Sequence, residues 1–120
     1  KLLPKWFKDL VYDPTPFLIE HKGIPIKIKP DLRDKKTKTK LYDQKAFNKN
    51  GGSFARSSMK GTGRTYNKEL NNAWAKAQTF IWTDFCDLPK VRIVALTGKE
   101  CLKRWPDGKI KLKERELLFK

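Results

Sequence analysis

The residues from Arg56 to Tyr66, Arg-Ser-Ser-Met-Lys-Gly-Thr-Gly-Arg-Thr-Tyr, combine cations with the residue types that let a chain approach a phosphate. Arg56 and Arg64 can each grip two phosphate oxygens at once, and Lys60 adds a point charge. Gly61 and Gly63 let backbone N–H groups come close, while Ser57, Ser58 and Thr62 offer hydroxyl donors. The glycine spacing is neither a Walker loop nor a dinucleotide fingerprint. Contact with a phosphate backbone is the chemistry expected, with Tyr66 and Phe54 able to stack on the bases of a single strand. Upstream, Lys36, Lys38 and Lys40 extend the same cationic segment. The competing reading is a solvated loop with no ligand.

Other chemistries have few residues to work with. The chain has one histidine, His21, so a Ser-His-Asp hydrolase would depend on it, and beside Gly23 it reads as a turn residue. Cys86 and Cys101 fall in separate elements and could form one disulfide or stay as two thiols. No His/Cys cluster can build a zinc site. The carboxylates and lysines of the first third are more informative: Asp13, Glu20, and the run Ile26-Lys27-Ile28-Lys29-Pro30.

That stretch, Asp13 through Ile26-Lys27-Ile28-Lys29-Pro30, resembles the core of the PD-(D/E)xK nucleases, the restriction-endonuclease-like fold. The resemblance implies an Asp at the start of one strand and a carboxylate-x-Lys on the next, gathered around Mg²⁺. The carboxylates hold the metal, and the Lys orients water or stabilises developing negative charge. Asp13 fits the first Asp and Lys29 the Lys, but the slot two residues before it holds Lys27, whose ammonium would repel a cation. This register implies a non-cutting or inactivated relative, with Asp13 a metal ligand only in an active enzyme. Glu20-His21-Lys22 restores a Glu-x-Lys, yet leaves only seven residues from Asp13, too few for the usual turn between strands. Asp31, Asp34 and Asp43 could contribute instead. The structural alternatives are a helix stop for Asp13 before Pro14 and a solvated edge for Lys27 and Lys29.

The whole chain frames these residues. It has 120 residues, Lys and Arg total 28 against 13 Asp and Glu, and the net charge is +15. From Lys22 to Lys68 fourteen basic residues face Asp31, Asp34 and Asp43, so this segment carries +11 of the total. A segment this positive repels itself unless a polyanion neutralises it. DNA or RNA is the expected partner, because neutralising phosphates releases condensed counterions. An anionic membrane surface is less favoured, since no basic amphipathic helix with a large apolar face appears, and no apolar run is long enough to span a bilayer. A structural rRNA-binding protein of a ribosome-like particle would share this composition, as would a basic toxin domain neutralised by an acidic protein partner. No signal-peptide pattern opens the chain, an intracellular setting is expected, and Lys1 in place of Met points to a piece of something longer.

The elements that must position these residues are read as one α+β or α/β domain over residues 1–120. A short helix after Pro4 is expected in residues 2–12. A hairpin over 17–29 turns at His21-Lys22-Gly23, with Ile24, Ile26 and Ile28 on one face. Residues 31–68 lack a period, and short strands near 40–47 and 53–56 are the only order expected there. Asn67 caps a helix over 68–83 whose apolar face is Leu70, Ala73, Trp74, Ala77 and Ile81. A strand over 90–96 and a short helix over 99–105 follow, and the tail 109–120 could be a strand, Lys-Ile-Lys-Leu-Lys, followed by a frayed helical turn. Hairpin and strand 90–96 are expected in one small mixed sheet, with the 68–83 helix on one face.

Overall fold

Pro4 sets the first turn and Asp13-Pro14 ends it, but the segment between is not one helix. In the computed structural model, which describes residues 3–49 and 67–119, a 3₁₀ turn over Lys5–Asp9 passes directly into strand β1, Leu10–Tyr12. Strands β2 (Phe17–His21) and β3 (Ile24–Ile28) form the expected hairpin. Its two-residue turn is Lys22-Gly23, with φ of 50° and 81°, and glycine meets the second value without a Cβ penalty. Ile28 is buried, Ile26 half-buried and Ile24 exposed, so the apolar face fades toward the tip. Strands β4 (Leu32–Asp34) and β5 (Leu41–Phe47) follow, then helix α1 (Lys68–Lys76), strands β6 (Gln78–Asp84) and β7 (Arg92–Thr97), and helices α2 (Gly98–Arg104) and α3 (Arg115–Leu118).

The fold is α+β. Among the described residues five strands make one mixed sheet in the order β1-β4-β5-β6-β7, antiparallel except for the parallel pair β5 and β6. The hairpin β2-β3 is a separate two-stranded sheet. It therefore does not share a sheet with β7 as expected. The central strands come from segments the periodicity assigned elsewhere. The expected 68–83 helix stops at Lys76, with Ala77 as its C-cap, and the rest is β6. Thr79, Phe80, Ile81, Trp82 and Thr83 are β-branched or aromatic, and pairing on both sides suits them better than a third helical turn. Asn67 does cap α1, its side chain accepting from the Leu70 N–H at 3.0 Å. The strand expected near 40–47 is β5, whereas the one near 53–56 lies outside the described residues. In the tail a 3₁₀ turn over Leu112–Glu114 takes the place of the expected strand, and the expected helical turn follows as α3.

Both helices of the βαβ and βα connections pack on one sheet face. Phe47, Ala75, Phe80, Trp82, Cys101, Trp105, Ile110 and Leu118 form the core there. Both cysteines are free thiols. Thr97 and Glu100 cap α2 reciprocally, and Gly98 starts it hard against the end of α1. The N-terminal 3₁₀ turn lies across the opposite sheet face, where Phe7 shares a groove with Gln44, Thr83 and Ile93. At the end of β6 the buried carboxylate of Asp84 accepts from the Cys86 N–H and from the guanidiniums of Arg92 and Arg115. This pins α3 to the sheet.

Candidate active site

Strand register decides which carboxylates meet. Leu32 faces Tyr42 and Arg33 faces Leu41, and Asp31, just before β4, lies close enough to Asp43 for its charge to act on that carboxyl. Paired residues in a sheet point to the same side. Asp43 and Lys45 also pair with Phe80 and Trp82 across the parallel β5-β6 ladder, which puts them on the helix-covered face. Asp31 enters β4 directly after the buried Pro30, and its backbone N–H donates to the Tyr42 carbonyl at 2.9 Å. Its carboxylate accepts from the Gln44 N–H at 2.8 Å. Lys45 Nζ lies 3.3 Å from Asp43 Oδ1. Two adjacent strands thus bring Asp31, Asp43 and Lys45 to one place.

The electrostatics of this trio are out of balance. Asp43 is 13% exposed, and its burial pushes its carboxyl above the usual range. The negative charge of Asp31 pushes it further the same way, and Lys45 only partly offsets both. Like charges opposed across a strand pair destabilise a sheet. A divalent cation between them would reverse that penalty. Among the described residues no group of three or more His, Cys, Asp or Glu side chains could hold a metal. Two carboxylates are nevertheless a sufficient donor set for Mg²⁺, which keeps several waters and takes further oxygens from substrate phosphates.

The residues singled out from the sequence fall as follows. Asp13 ends β1 next to Asp31, its N–H donating to the Asp31 carbonyl at 3.3 Å. Its carboxylate, however, accepts from the Thr15 N–H at 3.2 Å and sits 3.8 Å from Lys38 Nζ. Those Thr15 hydrogen bonds hold it below its usual range. Lys27 and Lys29 are exposed on the hairpin, and Glu20 is exposed on strand β2. Among the described residues no ion pair joins Asp13 to Lys27 or Lys29. His21 does not sit idle in the turn: its Nε2 lies 2.9 Å from Glu69 of α1, which Lys22 also meets at 2.6 Å. Lys36, Lys38 and Lys40 are exposed around the β4-β5 turn, which Asp34 organises by accepting from Thr37 and Lys40 N–H groups. Arg56, Lys60, Arg64 and Tyr66 lie outside the described residues.

The trio was visible in the sequence as Pro30-Asp31 followed twelve residues later by Asp43-Gln44-Lys45. The signal was hidden because residues 31–47 show no clean alternation, so no strand boundary marked Asp31 as a strand start. The chain matches no family model, no curated protein and no solved structure.

Proposed function

We propose that this protein is a metal-dependent nuclease of the PD-(D/E)xK type, with Asp31, Asp43 and Lys45 as its catalytic set. The observation that carries the reading is the adjacency of Asp31, immediately before β4, and Asp43-Gln44-Lys45 on β5. That is the arrangement the family resemblance implies, with both carboxylate positions filled. In this register Lys27 has no part in the site, so the reason for expecting a non-cutting relative falls away.

Asp31 and Asp43 would hold Mg²⁺. The ion would polarise a phosphate oxygen and ease the deprotonation of a bound water. Lys45 carries an ammonium on the same face, 3.3 Å from Asp43 Oδ1, and can donate to a phosphate oxygen as negative charge builds there. Ionised Asp43 is the form that binds a cation, so the site needs a pH above that at which Asp43 titrates. The cationic stretch Lys22–Lys68 supports a polyanionic substrate around the site.

Incubation with supercoiled plasmid and with structured RNA tests the reading, in Mg²⁺ and in EDTA. Strand cleavage in Mg²⁺ that EDTA stops, and that Asp31→Asn and Asp43→Asn each reduce by about 10²–10³, is the expected result. Wild-type protein that binds both substrates and cuts neither in Mg²⁺ or Mn²⁺ would instead favour a structural nucleic-acid-binding role.

A further inference from the structure

A second cationic feature lies apart from the Asp31-Asp43-Lys45 trio. Helices α1 and α2 pack side by side, and the solvent groove between them has a volume of about 610 Å³. Lys68 and Lys76 line it from α1, and Lys99 and Lys103 from α2. Among the described residues none of these four lysines takes part in an ion pair. The single acid among the described lining residues, Glu100, accepts from the Thr97 N–H at 2.8 Å and hydroxyl at 3.1 Å. Its charge is committed to the α2 cap.

The spacing is regular because helix geometry makes it so. Lys99 and Lys103 are four residues apart, about 6 Å along the axis, and Lys68 and Lys76 are two such steps apart, about 12 Å. Asn72 lies midway between the α1 lysines on the same stripe and offers amide donors. Leu102 and Pro106 give the groove an apolar floor. Ammonium groups along both walls over an apolar floor match a sugar–phosphate strand, whose anionic groups recur along one line and whose sugars are weakly polar. A small anion would be served by one or two of these lysines and would leave the others in mutual repulsion.

We infer that the α1-α2 groove is a docking track for the phosphate backbone of duplex nucleic acid, separate from the cleavage site. Helix α1 touches strand β3 of the hairpin on one side and α2 on the other. The track is thus built from α1 and α2, whereas the carboxylates lie on β5 and just before β4. This deepens the nuclease reading by giving the substrate a binding surface that does no chemistry.

The test compares two charge-matched quadruple variants of the whole chain. One carries Lys68→Gln, Lys76→Gln, Lys99→Gln and Lys103→Gln. The control carries Lys5→Gln, Lys90→Gln, Lys109→Gln and Lys113→Gln, all exposed and outside the groove. Dissociation constants for a short DNA duplex and a short RNA duplex are measured in EDTA across a salt series, with Asp31, Asp43 and Lys45 intact. The groove variant should bind at least tenfold more weakly at 150 mM salt, and its log–log salt slope should be shallower by about 3–4. The control should lose less than threefold. Loss on only one of the duplexes assigns the track to DNA or to RNA. Equal losses in the two variants would overturn the inference, as would a groove variant that loses binding to anionic phospholipid vesicles but keeps its duplex affinity. The pair Lys99→Gln and Lys103→Gln alone should give an intermediate loss, and thermal melts confirm that each variant folds. Binding that depends on the groove without any cleavage would sink the nuclease reading and leave this one standing, and cleavage with groove-independent binding would do the reverse.

Discussion

A buried carboxylate is costly unless something compensates it, and two residues of this chain meet that cost differently. Burial alone would raise the Asp84 carboxyl, but the Cys86 N–H and the guanidiniums of Arg92 and Arg115 outweigh it and hold the group below its usual range. Its bonds are internal and complete, so its role is structural. Replacing it with Ala would remove the buried anion from between Arg92 and Arg115 and leave them only the exposed carboxylates of Asp87 and Glu116. Because both arginines are partly exposed, the expected loss is about 2–4 kcal/mol, at the low end for a broken buried pair. Urea unfolding measures it. Asp43 is the opposite case: burial and then the charge of Asp31 hold its carboxyl above the usual range. A carboxyl with a raised folded value is destabilising when ionised, and the native state gains stability as pH falls through that value. Asp43→Asn should therefore leave the melting temperature unchanged or higher near pH 7 while lowering cleavage by about 10²–10³. The rate of cleavage by the wild type should fall as pH drops through the Asp43 titration. A melting temperature lowered as far as that of Asp84→Ala would mean that Asp43 is a structural residue.

Two contacts between elements set how the scaffold holds together. Gly98 begins α2 so close to α1 that an added Cβ would lie 1.7 Å from the Ala75 carbonyl oxygen. Neither backbone can yield at that distance, so Gly98→Ala must push the helices apart, costing about 1–3 kcal/mol or more. Thermal melting reads the loss, and the same variant should weaken duplex binding by splaying the lysine groove. The hairpin is held to α1 by Glu69, whose carboxylate meets Lys22 and His21 and is depressed from 4.5 to about 2. A depressed carboxyl contributes stability above its unfolded value and loses it as pH falls toward its folded value. Protection factors in β2 and β3, referred to the intrinsic exchange rate at each pH, should therefore fall between about pH 4.5 and 2, ahead of those in β5 and β6. Glu69→Gln should bring that lower protection to neutral pH. Unaltered protection in this variant would mean that the apolar base of the hairpin, Phe17 and Ile28, suffices to dock it.

For the molecule as a whole, charge governs association. With +15 on 120 residues, +11 of it between Lys22 and Lys68, binding to duplex nucleic acid in EDTA should fall by about 10²–10³ between 50 and 200 mM salt. A flat response would remove the electrostatic account altogether. Among the described residues no helix is long and apolar enough to cross a membrane.

The sequence was legible where a signal is local. Lys22-Gly23 with alternating isoleucines specified the hairpin, Asn67 specified the start of α1, and the excess of lysine and arginine specified a polyanionic partner as the expectation. These follow from backbone conformation, capping and Coulomb's law acting on neighbours in the chain. Sheet order was not legible. Whether Gln78–Asp84 extends α1 or becomes a central strand depends on β5 and β7 being there to pair with it, and those partners are distant in sequence. The candidate site belongs to the second class. Asp31 and Asp43 are twelve residues apart on unremarkable polar sequence, and only the antiparallel turn between β4 and β5 sets them side by side, next to Lys45 and under the shelter of the helix layer. The chain carried the residue types, whereas their proximity, and the burial that perturbs Asp43, came from long-range pairing that no local pattern encodes.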